Sequence, residues 1–243
     1  MFPLIKTSGF VIKKYDFREY DRIYTVYTEE LGKVPIFVRS ARKIKSKLAP
    51  GLENFNEVRL NFIKGRIFNH LSGWSTVLAN SKILRETEKI EATYDCLYLL
   101  DRLIKEEEPD RNIFELVKEV VGTINFPSFL PLSKGELEGV LHKIKIYFFW
   151  RLVDLLGYRP QLDSCAFCGN LIKGENKELR FNITDNIIIC RQCAGHGMAI
   201  GEQTLQALRQ VFQLPLNSFL GLELNEQLIA ITNKSKQIKL SEL

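Results

Sequence analysis

Two pairs of cysteines constrain this 243-residue chain more than any other feature of its sequence. Cys165 and Cys168 form one C-x-x-C pair, and Cys190 and Cys193 form a second pair 21 intervening residues later. Two such pairs can supply four thiolates to one tetrahedral ion, and Zn²⁺ accepts this ligand set without a redox change. Because four sulfurs leave no open position for water or substrate, the pairs predict a structural zinc site.

The residues between the two pairs predict a β-hairpin that returns the second pair to the first. Residues 179–183 and 187–189 are rich in apolar and β-branched side chains, and they flank a turn at 184–186. A further turn at 174–176 would absorb the length of the gap. This is the layout of a zinc ribbon, and we expect its folding to depend on metal more than on its own small core.

Two other roles for paired cysteines fit this sequence less well. A redox C-x-x-C pair is typical beside a βαβ pattern, and none precedes either pair here. Disulfides suit an exported domain, and the chain begins without the charged and apolar regions of a signal peptide. His196 is expected to be a solvated loop residue, since four cysteines complete the ligand set. Cys96 lies in an apolar run and is expected in the core.

The positive charge of the chain is concentrated in its amino-terminal third. Residues 1–75 contain 14 Lys and Arg against 7 Asp and Glu, whereas the other residues contain 20 against 22. The net charge of +5 therefore comes from +7 in the first part and −2 in the rest. This asymmetry indicates a polyanionic partner for the amino-terminal third alone.

The same third of the chain is rich in strand patterns. Five segments with β-branched or aromatic residues are separated by turn-forming or charged clusters, at residues 8–14, 21–28, 32–39, 56–63 and 67–72. Five short strands without long helices favour a small closed barrel, because closure removes unpaired strand edges. We therefore predict an OB-fold, whose face and loops are used to bind oligonucleotides.

A run of cations follows the third predicted strand. Residues 39–47 carry five positive charges and no acidic residue. A solvated loop is the usual outcome for such a run, but Lys13, Arg18 and Arg22 are expected on neighbouring strands or loops. We therefore favour phosphate binding. If five phosphates of a single strand are neutralised, log K should fall with log[salt] at a slope of about −3.5.

Aromatic residues alternate with these cations, as they do in surfaces that stack on bases. They are Tyr15, Phe17, Tyr20, Tyr24, Tyr27 and Phe37. A small barrel also needs aromatic residues in its interior, so the pattern alone assigns no stacking residue. Strand alternation places Tyr24 and Tyr27 on opposite faces, and we expect at most one of them to be in the core.

Beyond residue 75 the hydrophobic period changes to that of helices. Helices are predicted at residues 87–108, 113–124, 133–156 and 202–212, whereas residues 216–243 are mixed. Ser133 and Glu136 match a capping box at the start of the longest helix, and Gly157 is its expected stop. The broad apolar stripe of this helix needs several neighbours to cover it, which indicates a helical bundle.

Together these patterns predict an α+β protein with an inserted metal site. The predicted domains are a five-stranded OB-fold barrel at 1–75, a helical domain at 76–160 and 200–243, and a Cys₄ zinc ribbon at 161–199. No phosphate-binding P-loop, dinucleotide-binding glycine motif, metalloprotease motif or nucleophile elbow is present. The three histidines lie far apart in the sequence. Nothing in the sequence therefore indicates an enzyme.

A basic barrel, a helical bundle and a four-cysteine ribbon, in this order, resemble the RecO family of bacterial recombination mediators. Local matches are E-Y-D-R at 19–22, L-G-K at 31–33, A-R-K at 41–43, G-L-E at 51–53 and the block at 157–168. The resemblance extends from about residue 7 to beyond Cys193. One departure is the run of isoleucines at 187–189, where many family members have glycines.

The resemblance implies a cytoplasmic, nucleoid-associated protein that is not an enzyme. It would bind single- and double-stranded DNA, anneal complementary strands and work with RecR to load RecA onto DNA coated by single-stranded DNA-binding protein (SSB). The basic residues of the family's barrel would correspond here to Arg22, Arg39, Arg42, Lys43, Lys45 and Lys47. Two alternatives stay open: an RNA- or ribosome-associated module, and an enzyme such as a nuclease that uses the metal or the thiols.

Overall fold

A computed structural model of the chain describes residues 3–43, 52–125, 133–172, 179–193 and 195–241. The chain divides into two units, Met1–Leu130 and Pro131–Leu243. Among the described residues, no helix has both the length and the apolar character needed to cross a membrane. The division into a barrel, a helical domain and a ribbon, with the boundaries given above, stays a prediction.

The first unit contains a closed five-stranded barrel, as predicted. Its strands are β1 Leu4–Phe17, β2 Asp21–Thr28, β3 Gly32–Val38, β4 Glu57–Lys64 and β5 Asn69–Leu78. They pair in the order β1-β2-β3-β5-β4, and β1 also pairs with β4 to close the barrel. The β3–β5 pair is parallel, and the other pairs are antiparallel. This is the topology of the OB-fold.

The length and irregularity of β1 make the closure possible. This strand has 14 residues and pairs with both β2 and β4. Its register with β2 shifts between Val11 and Lys13, and such a bulge bends a strand and increases its twist. The interior is filled by aliphatic and aromatic side chains that include Val26, Ile36 and Phe62. Apolar burial in this closed interior stabilises the barrel.

Two helices follow the barrel, α1 Thr87–Leu103 and α2 Arg111–Asn125. Tyr24 lies inside the barrel, whereas Tyr27 packs against Phe114 of α2, with ring centroids 6.5 Å apart. Both tyrosines are buried, so the expectation that at most one is in the core was wrong. Burial raises the pKa of Tyr27 to about 12. The barrel thus has a second apolar surface, which α2 covers.

The first helix ends five residues earlier than predicted. Glu106, Glu107 and Glu108 would have formed its last turn, where carboxylates are disfavoured by the negative end of the helix dipole. Instead, the chain turns: Glu107 has a φ of 56°, and its backbone N–H donates to the carbonyl of Lys33 at 3.1 Å. The acidic segment therefore runs beside β3.

The second unit is built around a 22-residue helix, α3 Lys134–Leu155. The predicted capping box is present, because Ser133 accepts from the Glu136 N–H and Glu136 accepts from the Ser133 N–H. Gly157 follows the helix with a φ of 84°, a conformation that glycine adopts at little cost. The other helices are α4 Glu202–Gln213, α5 Leu216–Leu220 and α6 Glu226–Ser241.

A three-stranded sheet packs into the core of this second unit. Its strands are β6 Leu179–Asn182, β7 Ile187–Cys190 and β8 Met198–Ile200, in the order β7-β6-β8. The predicted β6–β7 hairpin is confirmed. Phe181 of β6 lies 6.3 Å from Trp150 of α3 between ring centroids, and both side chains are fully buried. The hairpin therefore has apolar contacts with α3, whereas the dependence of its folding on metal stays a prediction.

Candidate metal centre and nucleic-acid interface

The four cysteines of the two C-x-x-C pairs come together in the structure. The Sγ atoms of Cys165, Cys168, Cys190 and Cys193 all lie within 4.8 Å of one another. The Sγ atoms of Cys168 and Cys190 are 3.7 Å apart. Four sulfurs about 2.3 Å from a tetrahedral ion would be about 3.8 Å apart. The cluster therefore has the size of a four-sulfur metal site.

Local turns aim the first pair of cysteines at the second. Gly169 has a φ of 71°, and its N–H donates to the carbonyl of Cys165 at 2.9 Å. The N–H of Cys165 in turn donates to the carbonyl of Asn170. The N–H of Ala166 donates to the carbonyl of Ile188 at 3.0 Å, which joins this turn to β7. The hairpin thus positions both pairs.

Hydrogen bonds within the cluster give the thiols different pKa values. Burial would raise the pKa of Cys165, but backbone N–H donors, first that of Cys190 and then that of Cys168, lower it to about 6. A hydrogen bond with Cys168 raises the pKa of Cys193 to about 12. Four thiolates this close repel one another, so a cation is needed to hold them all in the charged form. A tetrahedral set of sulfurs fits zinc or iron.

An arginine of α4 supports the loop that carries the first pair. The Nη2 atom of Arg209 donates to the carbonyls of Leu162 at 2.7 Å and Ile172 at 3.3 Å. These two residues lie on either side of Cys165 and Cys168 in the chain. His196 is exposed and does not belong to the cluster, and Cys96 is buried. Both outcomes agree with the sequence analysis.

At one end of the barrel, an acidic residue holds two of the predicted DNA-binding arginines. One carboxylate oxygen of Asp16 accepts from Arg22 at 2.8 Å, and the other lies 3.3 Å from Nε of Arg42. Arg42 also donates to the carbonyl of Glu19 at 3.1 Å. Burial would lower the pKa of Arg22, but the hydrogen bond with Asp16 raises it. The basic run is therefore partly neutralised, although no acid occurs within it.

The remaining predicted cations differ in their surroundings. Lys43 lies over the ring of Tyr20, with Nζ 5.0 Å from the ring centroid. Arg39 is exposed, and no ion pair involves it among the residues that the structure describes. Lys45 and Lys47 lie outside the described residues. The structure thus brings Arg22 and Arg42 together and gives Lys43 an aromatic support, whereas their role with nucleic acid stays a prediction.

Lys13 and Arg18, which were expected to lie near the basic run, differ in their surroundings. Lys13 forms an ion pair with Asp101 of α1 at 3.0 Å, and Asp101 is shared with Lys33 at 3.4 Å. Arg18 has a φ of 57° and is exposed, with its guanidinium carbon 5.2 Å from the ring centroid of Phe17. Arg18 therefore stays close to the barrel end, whereas Lys13 supports the packing of α1.

The structure also shows an aromatic cluster that the sequence analysis missed. Phe68, directly before β5, and His70 of β5 lie beside Phe17 of β1 and Phe37 of β3, with ring centroids between 5.3 and 6.1 Å apart. Phe68 and His70 lie more than 20 positions beyond the end of the basic run at 39–47. Only barrel closure brings Phe68 and His70 close to the basic run. An OB-fold prediction does, however, point to the β4–β5 loop as a ligand contact.

Comparison with known proteins covers both units. The family described as "Recombination protein O N terminal" matches residues 1–78, and the family described as "Recombination protein O C terminal" matches residues 92–231.

Curated relatives carry the name "DNA repair protein RecO". The protein from Roseiflexus sp. (strain RS-1) is 30% identical over 190 residues, which is 78% of this chain and 62% of that protein. The protein from Listeria monocytogenes serotype 4a is 27% identical over 226 residues, which is 91% of this chain and 82% of the relative. The protein from Geobacter metallireducens is 25% identical over 203 residues.

Proposed function

This chain belongs to the RecO family of DNA repair proteins, and we propose that it is a recombination mediator that binds single- and double-stranded DNA. In this proposal it anneals complementary strands and, with RecR, helps to load RecA onto DNA coated by SSB. It acts in the cytoplasm, on the nucleoid, and it does so by binding and not by catalysis.

The observation that carries the proposal is the pair of arginines at the barrel end. Asp16 pairs with both Arg22 and Arg42, and Arg39 and Lys43 are exposed cations of the chain directly after β3. Arginine binds phosphate oxygens with two donors in a fixed geometry. An arrangement of this kind, in a family of DNA repair proteins, supports contacts with the sugar–phosphate backbone.

Annealing then follows from electrostatics. Two complementary strands repel each other because each phosphate carries a negative charge. Cations that neutralise phosphates on both strands lower this repulsion, so that base pairing can proceed without ATP. The loss of condensed counterions makes such binding strongly dependent on salt.

The metal in this proposal is zinc, held by Cys165, Cys168, Cys190 and Cys193. Four sulfur ligands fill its coordination sphere, so it stabilises the loops around the cysteines and activates no water. Annealing activity depends on the barrel and not on the metal.

The test replaces Arg42, Lys43, Lys45 and Lys47 with Ala. If each contacts one phosphate of a single strand, the slope of log K against log[salt] should become less steep by about 2.8. Annealing of complementary strands coated by SSB should fall in parallel, with and without RecR. The control variant replaces Arg85, Lys105, Lys118 and Lys234, which are exposed, and removes the same charge.

An equal loss in both variants would show that net charge matters and the barrel end does not. An unchanged affinity of the first variant at matched salt would refute the assignment of these residues. Tighter binding of RNA than of DNA with the same sequence would argue against a DNA mediator.

A further inference from the structure

We propose that Phe17, Phe37, Phe68 and His70 form a base-stacking ridge that makes the barrel end favour unpaired DNA. This inference rests on the proposed function and deepens it, because phosphate contacts alone do not distinguish single strands from duplexes. The four aromatic residues are called the ridge below.

The ridge lies on the outside of the barrel because of the strand register. Phe37 of β3 is paired with Ile23 of β2 and with His70 of β5. Paired residues of adjacent strands have side chains on the same face. The neighbours of Phe37 in β3, Ile36 and Val38, belong to the barrel interior. Phe37 and His70 therefore point away from it.

Both loops that contact ligands in OB-folds contribute to the ridge. Phe17 is the last residue of β1, directly before the β1–β2 turn. Phe68 ends the β4–β5 turn, which is closed by a hydrogen bond from the Gly65 N–H to the Phe68 carbonyl at 3.1 Å. The rings of Phe17 and Phe68 are 5.4 Å apart. The two turns thus meet through these rings, at the usual site of oligonucleotide binding.

The rings are in contact and partly open to solvent. Phe37 and Phe68 stack with centroids 5.3 Å apart and an interplanar angle of 26°. Phe37 is 8% exposed and forms the base of the ridge, whereas Phe17 and Phe68 are half-buried and His70 is exposed. Ile67, beside Phe68, is 83% exposed. Apolar surface of this kind gains free energy when a flat, apolar ligand covers it.

The charges around the ridge favour a nucleic acid over an apolar peptide. Arg18 lies over Phe17, and Arg66 is exposed two residues before Phe68. Aromatic rings flanked by cations are typical of proteins that bind single strands, since the rings stack on bases and the cations contact phosphates. In a duplex the faces of the bases are already stacked. The ridge therefore adds affinity only for unpaired DNA.

The experiment measures binding of three DNA probes to the 243-residue chain. They are a single-stranded oligonucleotide, an abasic strand of the same length and a duplex. Phe68→Ala should weaken binding of the single strand at least about fivefold, the lower limit for one stacked base. Binding of the abasic strand and of the duplex should change less than about twofold, because they use the phosphate contacts.

Further variants separate stacking from folding. Phe68→Leu keeps an apolar side chain and loses the ring, so it should weaken single-strand binding like Phe68→Ala. Phe68→Trp keeps an aromatic ring, so it should bind the single strand as well as the unsubstituted chain does. Tyr98→Ala removes another exposed ring, 53% exposed on α1, and should have no effect. Chemical denaturation of each variant checks that the barrel is folded.

The outcomes distinguish the inference from the proposed function. If the unsubstituted chain binds none of the three probes, the proposed function fails, and the inference fails with it. If it binds all three and Phe68→Leu leaves the preference for the single strand unchanged, only the inference is overturned. The ridge would then be assigned to a protein partner.

Discussion

The cysteine cluster and the barrel end are both candidate binding sites, but they are built in opposite ways. Each C-x-x-C pair lies in a local turn, and one short hairpin joins the two pairs. The barrel end combines residues of β1, β2 and the chain after β3, and the ridge adds Phe37 of β3, Phe68 of the β4–β5 turn and His70 of β5. Spacing in the sequence therefore defines the first site, whereas strand register defines the second.

The two sites also differ in how they control charge. Four thiols within 4.8 Å need a cation before all of them can ionise. At the barrel end the charges are cationic, and a carboxylate from the chain itself, that of Asp16, holds two of them together. The first site can carry four charged thiolates only with an added ion, whereas the second is organised by the folded chain alone.

Removing a cysteine tests this dependence most strongly. Cys190→Ser should lower zinc affinity more than about a hundredfold, since even substitutions around a metal site cost 10–100-fold. The variant should also increase hydrogen exchange of the amides between Ser164 and Asn170. Metal analysis and exchange mass spectrometry measure the two effects. His196→Ala is the control and should keep one zinc per chain.

Truncating the hairpin core tests whether the metal or the packing stabilises the sheet. Phe181 is fully buried against Trp150, so Phe181→Ala should lower the free energy of unfolding by about 3–5 kcal/mol. Phe167, between Cys165 and Cys168, is 62% exposed, and Phe167→Ala should change the free energy of unfolding by less than about 0.5 kcal/mol. Urea unfolding followed by circular dichroism measures both.

Urea unfolding in the presence of a chelator separates the contribution of the metal from that of the hairpin core. If the second unit keeps its helical signal without metal, packing holds the sheet and the metal holds only the cysteine turns. Complete loss of the signal would contradict the contribution assigned to Phe181.

At the barrel end, Asp16→Asn tests the organising carboxylate. A negative charge about 6 Å from a bound phosphate costs about 0.7 kcal/mol in water, so its removal should strengthen DNA binding about threefold at low salt. Titration by fluorescence anisotropy measures this. Glu115→Gln makes the same charge change at an exposed position of α2 and should have a smaller effect. Weaker binding by Asp16→Asn would show that the orientation of the arginines outweighs the charge.

The smallest expected effect concerns the other feature defined by local spacing, the capping box. Hydrogen bonds from the side chain and then the backbone of Ser133 lower the pKa of Glu136 below its usual value of 4.5. A lowered pKa means that ionised Glu136 stabilises the fold above pH 4.5, and that this contribution is lost as the pH falls through the lowered value. Ser133→Ala should reduce the loss of stability in this window, as measured by thermal unfolding. If Ser133→Ala and the unsubstituted chain lose stability identically with falling pH, Ser133 does not lower the pKa of Glu136.

Much of the fold could be predicted from the sequence because it depends on neighbours in the chain. The five strands, the capping box at Ser133, the stop at Gly157 and the β6–β7 hairpin all follow from local propensity and turn chemistry. The errors were of another kind. The end of α1 at Leu103 reflects both the acidic run at 106–108 and its contact with Lys33. The burial of both Tyr24 and Tyr27 depends on contacts with distant strands and helices, which periodicity does not contain.

The sequence by itself determined the ligand set, since two C-x-x-C pairs joined by a hairpin can place four sulfurs together in few ways. It also determined that the barrel would be basic. Only the tertiary structure decided that Asp16 joins Arg22 to Arg42 and that Phe68 lies on Phe17. The physical reason is that closing a barrel pairs strands that are distant in the chain, and the register of that closure selects which side chains meet.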